Sequence, residues 1–155
     1  MKHLITCFRG ENGENIYYLN KAGRELAGSE TIRSKTVQAG HFIMRNDAFL
    51  HYKGNEDWKN ETKFCVDGVV TVIPDAYFRY IQRRHFLEVD HLQHMNKNQE
   101  KIERYKKLNE TGVFQQKIKY FPRLVWVTLT ESRKRQLLEW CNGLDVVIHI
   151  WDEIK

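Results

Sequence analysis

The chain has few cysteines and no long apolar run, and each shortage excludes a class of protein. Cys7, Cys65 and Cys141 are odd in number, far apart and outside any C-x-x-C pair. Neither a disulfide framework nor a zinc knuckle is therefore indicated, and reduced thiols in a cytoplasm are expected. No apolar stretch approaches the length of a membrane span. The run from Leu4 to Phe8 is also too short for the apolar core of a signal peptide. There is no G-x-S-x-G elbow, P-loop or G-x-G-x-x-G, and no Cys with a local His signature, so a nucleophilic mechanism finds no support.

The residues that are present suit a folded globule. A chain of 155 residues usually makes one domain with a proper core. Hydrophobic residues make up 41% and aromatics 12%, while 29% charged residues keep the surface soluble. Twenty-five Lys and Arg against twenty Asp and Glu leave a charge of +5, and the isoelectric point is about 9.1. That bias favours polyanionic partners without requiring them.

LITCF reads as a strand, ENGEN supplies an Asn-Gly turn and IYYL is a second strand, which together predict a hairpin. In LNKAGRELAG, Asn20 is placed to cap a short helix ending near Gly28. Residues 29–38 are polar without a period and read as a linker. A small piece over 1–30 is thus separated from a main domain over 39–155. The main domain opens with a helix over 39–53, in which Phe42, Ile43, Phe49 and Leu50 fall at near-helical spacing before Gly54.

TKFCV and VVTVI flank Asp67-Gly68 as a hairpin, and AYFRYI and HFLEV follow as short strands. Helix formers fill 96–108 without Gly or Pro. RLVWVTLT is a strand rich in β-branched residues. Thr130 or Ser132 can cap a helix over 131–142, and DVVIHIW is a final strand. This order predicts an α/β fold with a mixed central sheet flanked by helices.

Three carboxylates interrupt the apolar segments of VIPDAYFRYIQRRHFLEVDH. Alternation along HFLEVD puts Glu88 and Asp90 on one face, and Asp75 meets them if the two strands pair through the turn near Gln82. An oxygen-only cluster of this kind suits Mg²⁺ or Mn²⁺, which serve phosphate chemistry by activating water and offsetting charge on phosphoryl oxygens. Lys97, Lys101 and Arg104 fall at helical spacing on the next helix as one basic face. Arg83 and Arg84 lie in the turn. The same residues also admit plainer roles, since strand-end acids often cap loops or pair with arginine, and a basic helix face is often only solvated. His91 and His94 would suit a softer metal beside Glu88 and Asp90, although H-x-x-H at a strand exit is mostly a surface feature. Trp126, Trp140 and Trp151 belong to the core or its rim. His41, with Asn46 and Asp47 on the first helix of the main domain, is more often a capping or satisfied core group than a catalytic base.

Taken in order, YYLNKAGRELAG, the helix with His41 and Asn46, VIPDAYF, FLEVDH, KIERYKKL and RLVWVTLTESRKRQLLEW resemble the replication-relaxation family of plasmids and mobile elements. The resemblance implies an N-terminal winged helix before a PD-(D/E)XK, restriction-endonuclease-like core. Here the N-terminal piece starts at a wing-like hairpin, so only a partial winged helix is expected. Asp75 carries over onto the first acidic position of the motif and Glu88 onto the second. Asp90 stands where the motif lysine belongs, and Lys101 is the candidate to replace it.

The resemblance thus implies Asp75, Glu88, Asp90 and Lys101 as catalytic candidates, the three acids as ligands of Mg²⁺ or Mn²⁺, and no organic cofactor. Arg83, Arg84, Lys97, Lys101 and Arg104 are the candidates for contacting duplex DNA. No membrane partner is expected, and a homodimer is left open. The missing motif lysine favours a DNA-binding accessory protein of replication or relaxation with degenerate catalysis. An active metal-dependent endonuclease and an interaction module without DNA or metal are the alternatives.

Overall fold

Residues 3–33 and 36–155 are described in the computed structural model. Ser34 and Lys35, within the expected linker, lie outside the described residues. The chain divides into two compact units, Met1–Gly40 and His41–Lys155.

In the first unit β1 (Ile5–Arg9) and β2 (Asn15–Leu19) form an antiparallel hairpin, followed by α1 (Lys21–Ala27). The side chain of Asn20 accepts from the Gly23 amide, and Gly28 closes the helix in the left-handed conformation, as the sequence predicts. Gly23 is required for packing, because a Cβ there would stand 2.1 Å from the Leu4 carbonyl oxygen.

The second unit opens with α2 (Ala39–His51), β3 (Glu56–Asn60), β4 (Phe64–Val66), β5 (Val70–Val72), β6 (Ala76–Tyr80) and β7 (Arg83–Val89). It continues with α3 (Met95–Glu110), α4 (Val113–Ile118), β8 (Arg123–Thr128), α5 (Glu131–Trp140), β9 (Val146–Ile150) and α6 (Trp151–Ile154). Five strands form the central sheet in the order β3-β6-β7-β8-β9. Pairing is antiparallel from β3 to β7 and parallel from β7 to β9, so the sheet is mixed.

Each strand's alternation feeds two cores. Phe86, Leu124, Trp126 and Ile148 pack beneath Ile102, Tyr105 and Leu108 of α3, Leu137 of α5 and Cys141 at its C-terminal cap. On the opposite face Leu87, Val89, Val125 and Val127 pack against Met44 and Ala48 of α2 and Tyr52 just after it. Burying such side chains contributes roughly 1.5 to 3 kcal/mol each, which is why helices cover both faces.

The two hairpins have distinct roles. β4 and β5 form a separate two-stranded sheet whose turn uses Asp67 at φ 53° and Gly68 at φ 67°. Its buried side, Val70 and Val72, joins the α3 core. β6 and β7 turn through Ile81 and Gln82, both at positive φ, as two-residue hairpin loops demand. Their register pairs Ala76 with Leu87, which brings Asp75 beside the Glu88–Val89 end of β7.

No helix among the described residues is long and apolar enough to cross a membrane.

Candidate functional site

The site forms where β6 begins and the parallel strands β7 and β8 end, the edge at which open α/β sheets commonly bind ligands. Hairpin register delivers Asp75. Its Oδ2 accepts the Val89 amide at 2.7 Å, and its Oδ1 lies 3.0 Å from His41 Nε2 on α2. Burial pushes the Asp75 carboxyl up, but the His41 hydrogen bond, the Lys101 charge and the Val89 amide outweigh it and hold the group below its usual range.

Glu88 is buried on the α3 side of the sheet. Oε1 accepts the Tyr105 hydroxyl at 2.6 Å and Oε2 accepts Lys101 Nζ at 2.6 Å. Both donors come from one stripe of α3, since positions 101 and 105 lie one turn apart. Burial raises Glu88 to about 7; Lys101 opposes that rise and the Asp75 charge adds to it. Burial also favours neutral Lys101, but Glu88 and Asp75 prevail and raise its pKa. The result is a compact Asp75, Glu88 and Lys101 constellation supported by His41 and Tyr105.

Asp90 does not join it. One residue past β7, it keeps to the helix-facing side with Glu88, as alternation predicts, but its carboxylate is held chiefly by Arg133 of α5. Arg133 grips it through Nε at 2.7 Å and Nη2 at 2.5 Å, and the Thr128 hydroxyl donates at 2.7 Å. These bonds, with one from Asn98, hold Asp90 below its usual range despite burial. Arg133 also donates to the Gln93 carbonyl at 2.6 Å, so the network ties together the chain after β7, the end of β8 and the start of α5. Among the described residues no three Asp, Glu, His or Cys side chains gather to hold a metal ion, which corrects the expected convergence of all three acids and the softer set with His91 and His94. Two carboxylates with several waters still match the way Mg²⁺ is usually held.

The basic residues separate as well. A cleft of about 430 Å³ lies between α3 and the β4–β5 hairpin, lined by Lys101, Arg104 and Lys107 on one side and by Val69 to Ile73 on the other, with Glu88 in its wall. Arg104 and Lys107 are exposed and make no ion pair among the described residues. Lys97 is on the same helix but pairs with Glu100 at 3.5 Å. Arg83 and Arg84 stand at the other end of β7, five positions or roughly 16 Å of strand from Glu88. They pair there with Asp145 at 2.7 Å and Asp57 at 3.1 Å. The five predicted DNA contacts therefore do not share one surface; Lys101 and Arg104 line the cleft, and Lys107 joins them unpredicted.

A model of the replication-relaxation family matches residues 4–124. The chain belongs to the replication-relaxation family. The matched stretch contains Asp75, Glu88, Lys101 and Tyr105, while Thr128 and Arg133 fall beyond it. No curated protein matches the chain. Among solved structures it is similar to Can2 from Sulfobacillus thermosulfidooxidans in complex with cyclic tetra-adenylate, at 12% identity and a TM-score of 0.47. That likeness covers 97% of this chain and 39% of the other, so the chain spans less than half the length of that protein.

Proposed function

We propose that this chain is a DNA-binding accessory protein of plasmid or mobile-element replication, built on a nuclease-like core whose catalysis is degenerate. The observation that carries this reading is the contrast between committed and uncommitted charge. All four oxygens of Asp75 and Glu88 already have protein partners. Arg104 and Lys107 face the cleft with no acidic partner among the described residues. Cations left open beside a buried, neutralised acid cluster suit holding phosphate more than breaking its esters. Membership of the replication-relaxation family supports a role on DNA.

One observation favours an active endonuclease as the second reading: Lys101 Nζ lies 2.6 Å from Glu88 Oε2, restoring the lysine that the strand lacks. Asp75 and Glu88 would hold Mg²⁺ or Mn²⁺, which when bound supplies an activated water and offsets phosphoryl charge. In that reading Lys101 orients and neutralises Glu88, and His41 holds Asp75 in place.

A single experiment separates the two. Supercoiled plasmid is incubated with the protein in Mg²⁺, in Mn²⁺ and in EDTA, and binding and topology are read on one gel. Retarded but intact plasmid in all three supports the accessory role. Nicking with either ion and none in EDTA establishes the second reading, and no retardation at low salt counts against binding to closed duplex.

A further inference from the structure

The dimensions of the cleft limit what can reach Glu88. At about 430 Å³ it lies within the range of single-ligand pockets and is too small for a duplex. Its two walls also differ in chemistry. Lys101, Arg104 and Lys107 recur every three positions along α3, a rise of roughly 4.5 Å per step that lays their charges in a row along the helix. Opposite them the hairpin presents Val69, 84% exposed, and Ile73, 51% exposed. These apolar side chains flank the buried Val70 and Val72 and line the same cleft.

A cationic row facing an apolar edge across a cleft of about 430 Å³ matches an unpaired strand, with its phosphates on the helix and its sugar and base against the hairpin. An intact duplex presents phosphates outward while its bases remain stacked, so only its backbone could meet the rim. To bring a phosphate to Lys101 and Glu88, the strand must first leave the stack, which costs least where it is already single-stranded.

We propose that the cleft between α3 and the β4–β5 hairpin takes an unpaired DNA strand, one nucleotide at a time, and that the preferred ligand is a duplex carrying a single-stranded tail or gap. This inference rests on the DNA-binding reading above and adds the form of the DNA. Arg104 and Lys107 carry the phosphates, Val69 and Ile73 the apolar contact. Lys101 stays with Glu88 at the inner end.

The test is fluorescence anisotropy with three labelled probes of matched length at fixed salt: a blunt duplex, the same duplex with an unpaired tail, and the tail alone. Tailed duplex binding at least tenfold tighter than blunt duplex is expected, about 1.4 kcal/mol. The paired substitutions Arg104→Glu and Lys107→Glu should remove that preference. Val69→Asp at the exposed hairpin turn should reduce it, and Lys53→Glu beyond α2, on the other side of the sheet, should not. Circular dichroism on each variant excludes unfolding, and all four positions are exposed. Equal affinity for blunt and tailed duplex, or a preference that survives the Arg104 and Lys107 changes, overturns the inference while leaving DNA binding intact. Absence of binding to every probe overturns both.

Discussion

Lys101 reaches Glu88 at 2.6 Å although the two are 13 positions apart in sequence. In the resembled motif the lysine follows its acid by two positions on the same strand. Here the strand position is Asp90, and the cation comes from the next helix. Removing it leaves a buried carboxyl with only Tyr105 as donor. Lys101→Met should therefore destabilise the fold by about 3 to 5 kcal/mol at pH 8, as loss of one member of a buried pair does. At pH 5.5 a proton on Glu88 takes the place of the lysine and the loss should be much smaller. Urea unfolding at both pH values measures this, and equal losses would show that the pair is not what Lys101 contributes.

A second prediction follows from the raised carboxyl itself. Glu88 titrates at about 7 in the fold against 4.5 ordinarily, so the folded state binds its proton more tightly than the unfolded chain. Its contribution is fully present below the ordinary value and is lost as pH rises through about 7. Asp75 and Asp90, both held low, act in the opposite sense; their contribution is present above the ordinary carboxylate value and lost as pH falls below it. In EDTA, Glu88→Gln should flatten the stability profile between those two pH values by about 3 kcal/mol, leaving the acid limb unchanged. A variant profile as steep as the parent's there would contradict the assignment.

The sequence made the pairing of Asp75 with Glu88 legible, because hairpin register and strand alternation are local rules. It did not reveal the destination of Asp90, since Arg133 lies 43 positions away with no local pattern to mark it. His41, 34 positions from Asp75, carries the same difficulty: the sequence suggests a capping or satisfied core group but does not name Asp75 as its partner. Periodicity found the long elements, among them α2, α3, β7 and β8. It passed over β3, whose EDWKN has no apolar alternation and becomes a strand only by pairing with β6. It also placed Lys97 on the working face of α3, where Glu100 instead occupies it.

The Arg133–Asp90 pair yields a third prediction. Asp90 is fully buried and accepts two bonds from one guanidinium, so Arg133→Ala strands a charge. A loss of about 3 to 5 kcal/mol is expected. Arg133→Lys should recover only part of it, because an ammonium cannot reproduce the planar fork. Adding Asp90→Asn to Arg133→Ala should restore more than half of the loss. Urea midpoints across this cycle measure the coupling, and simple additivity would count against it.

The last prediction concerns which acids bear on a divalent ion. Asp75 and Glu88 repel one another, as the upward push of Asp75 on Glu88 records, and Lys101 only partly offsets this. A cation held by both would relieve the repulsion, and binding to the folded state alone raises the melting temperature with ion concentration. Mn²⁺ or Mg²⁺ should therefore raise the melting temperature at pH 8, where Glu88 is ionised. Glu88→Ala and Asp75→Asn should each abolish the shift. Asp90→Asn should leave it in place, because Arg133 and Thr128 already occupy that carboxylate. Loss of the shift in all three variants would restore the three-acid site that the sequence suggests. A melting curve indifferent to both ions in the parent protein would mean that Lys101 and His41 do the work of the metal, and that the acid cluster serves to hold the floor of the cleft in place.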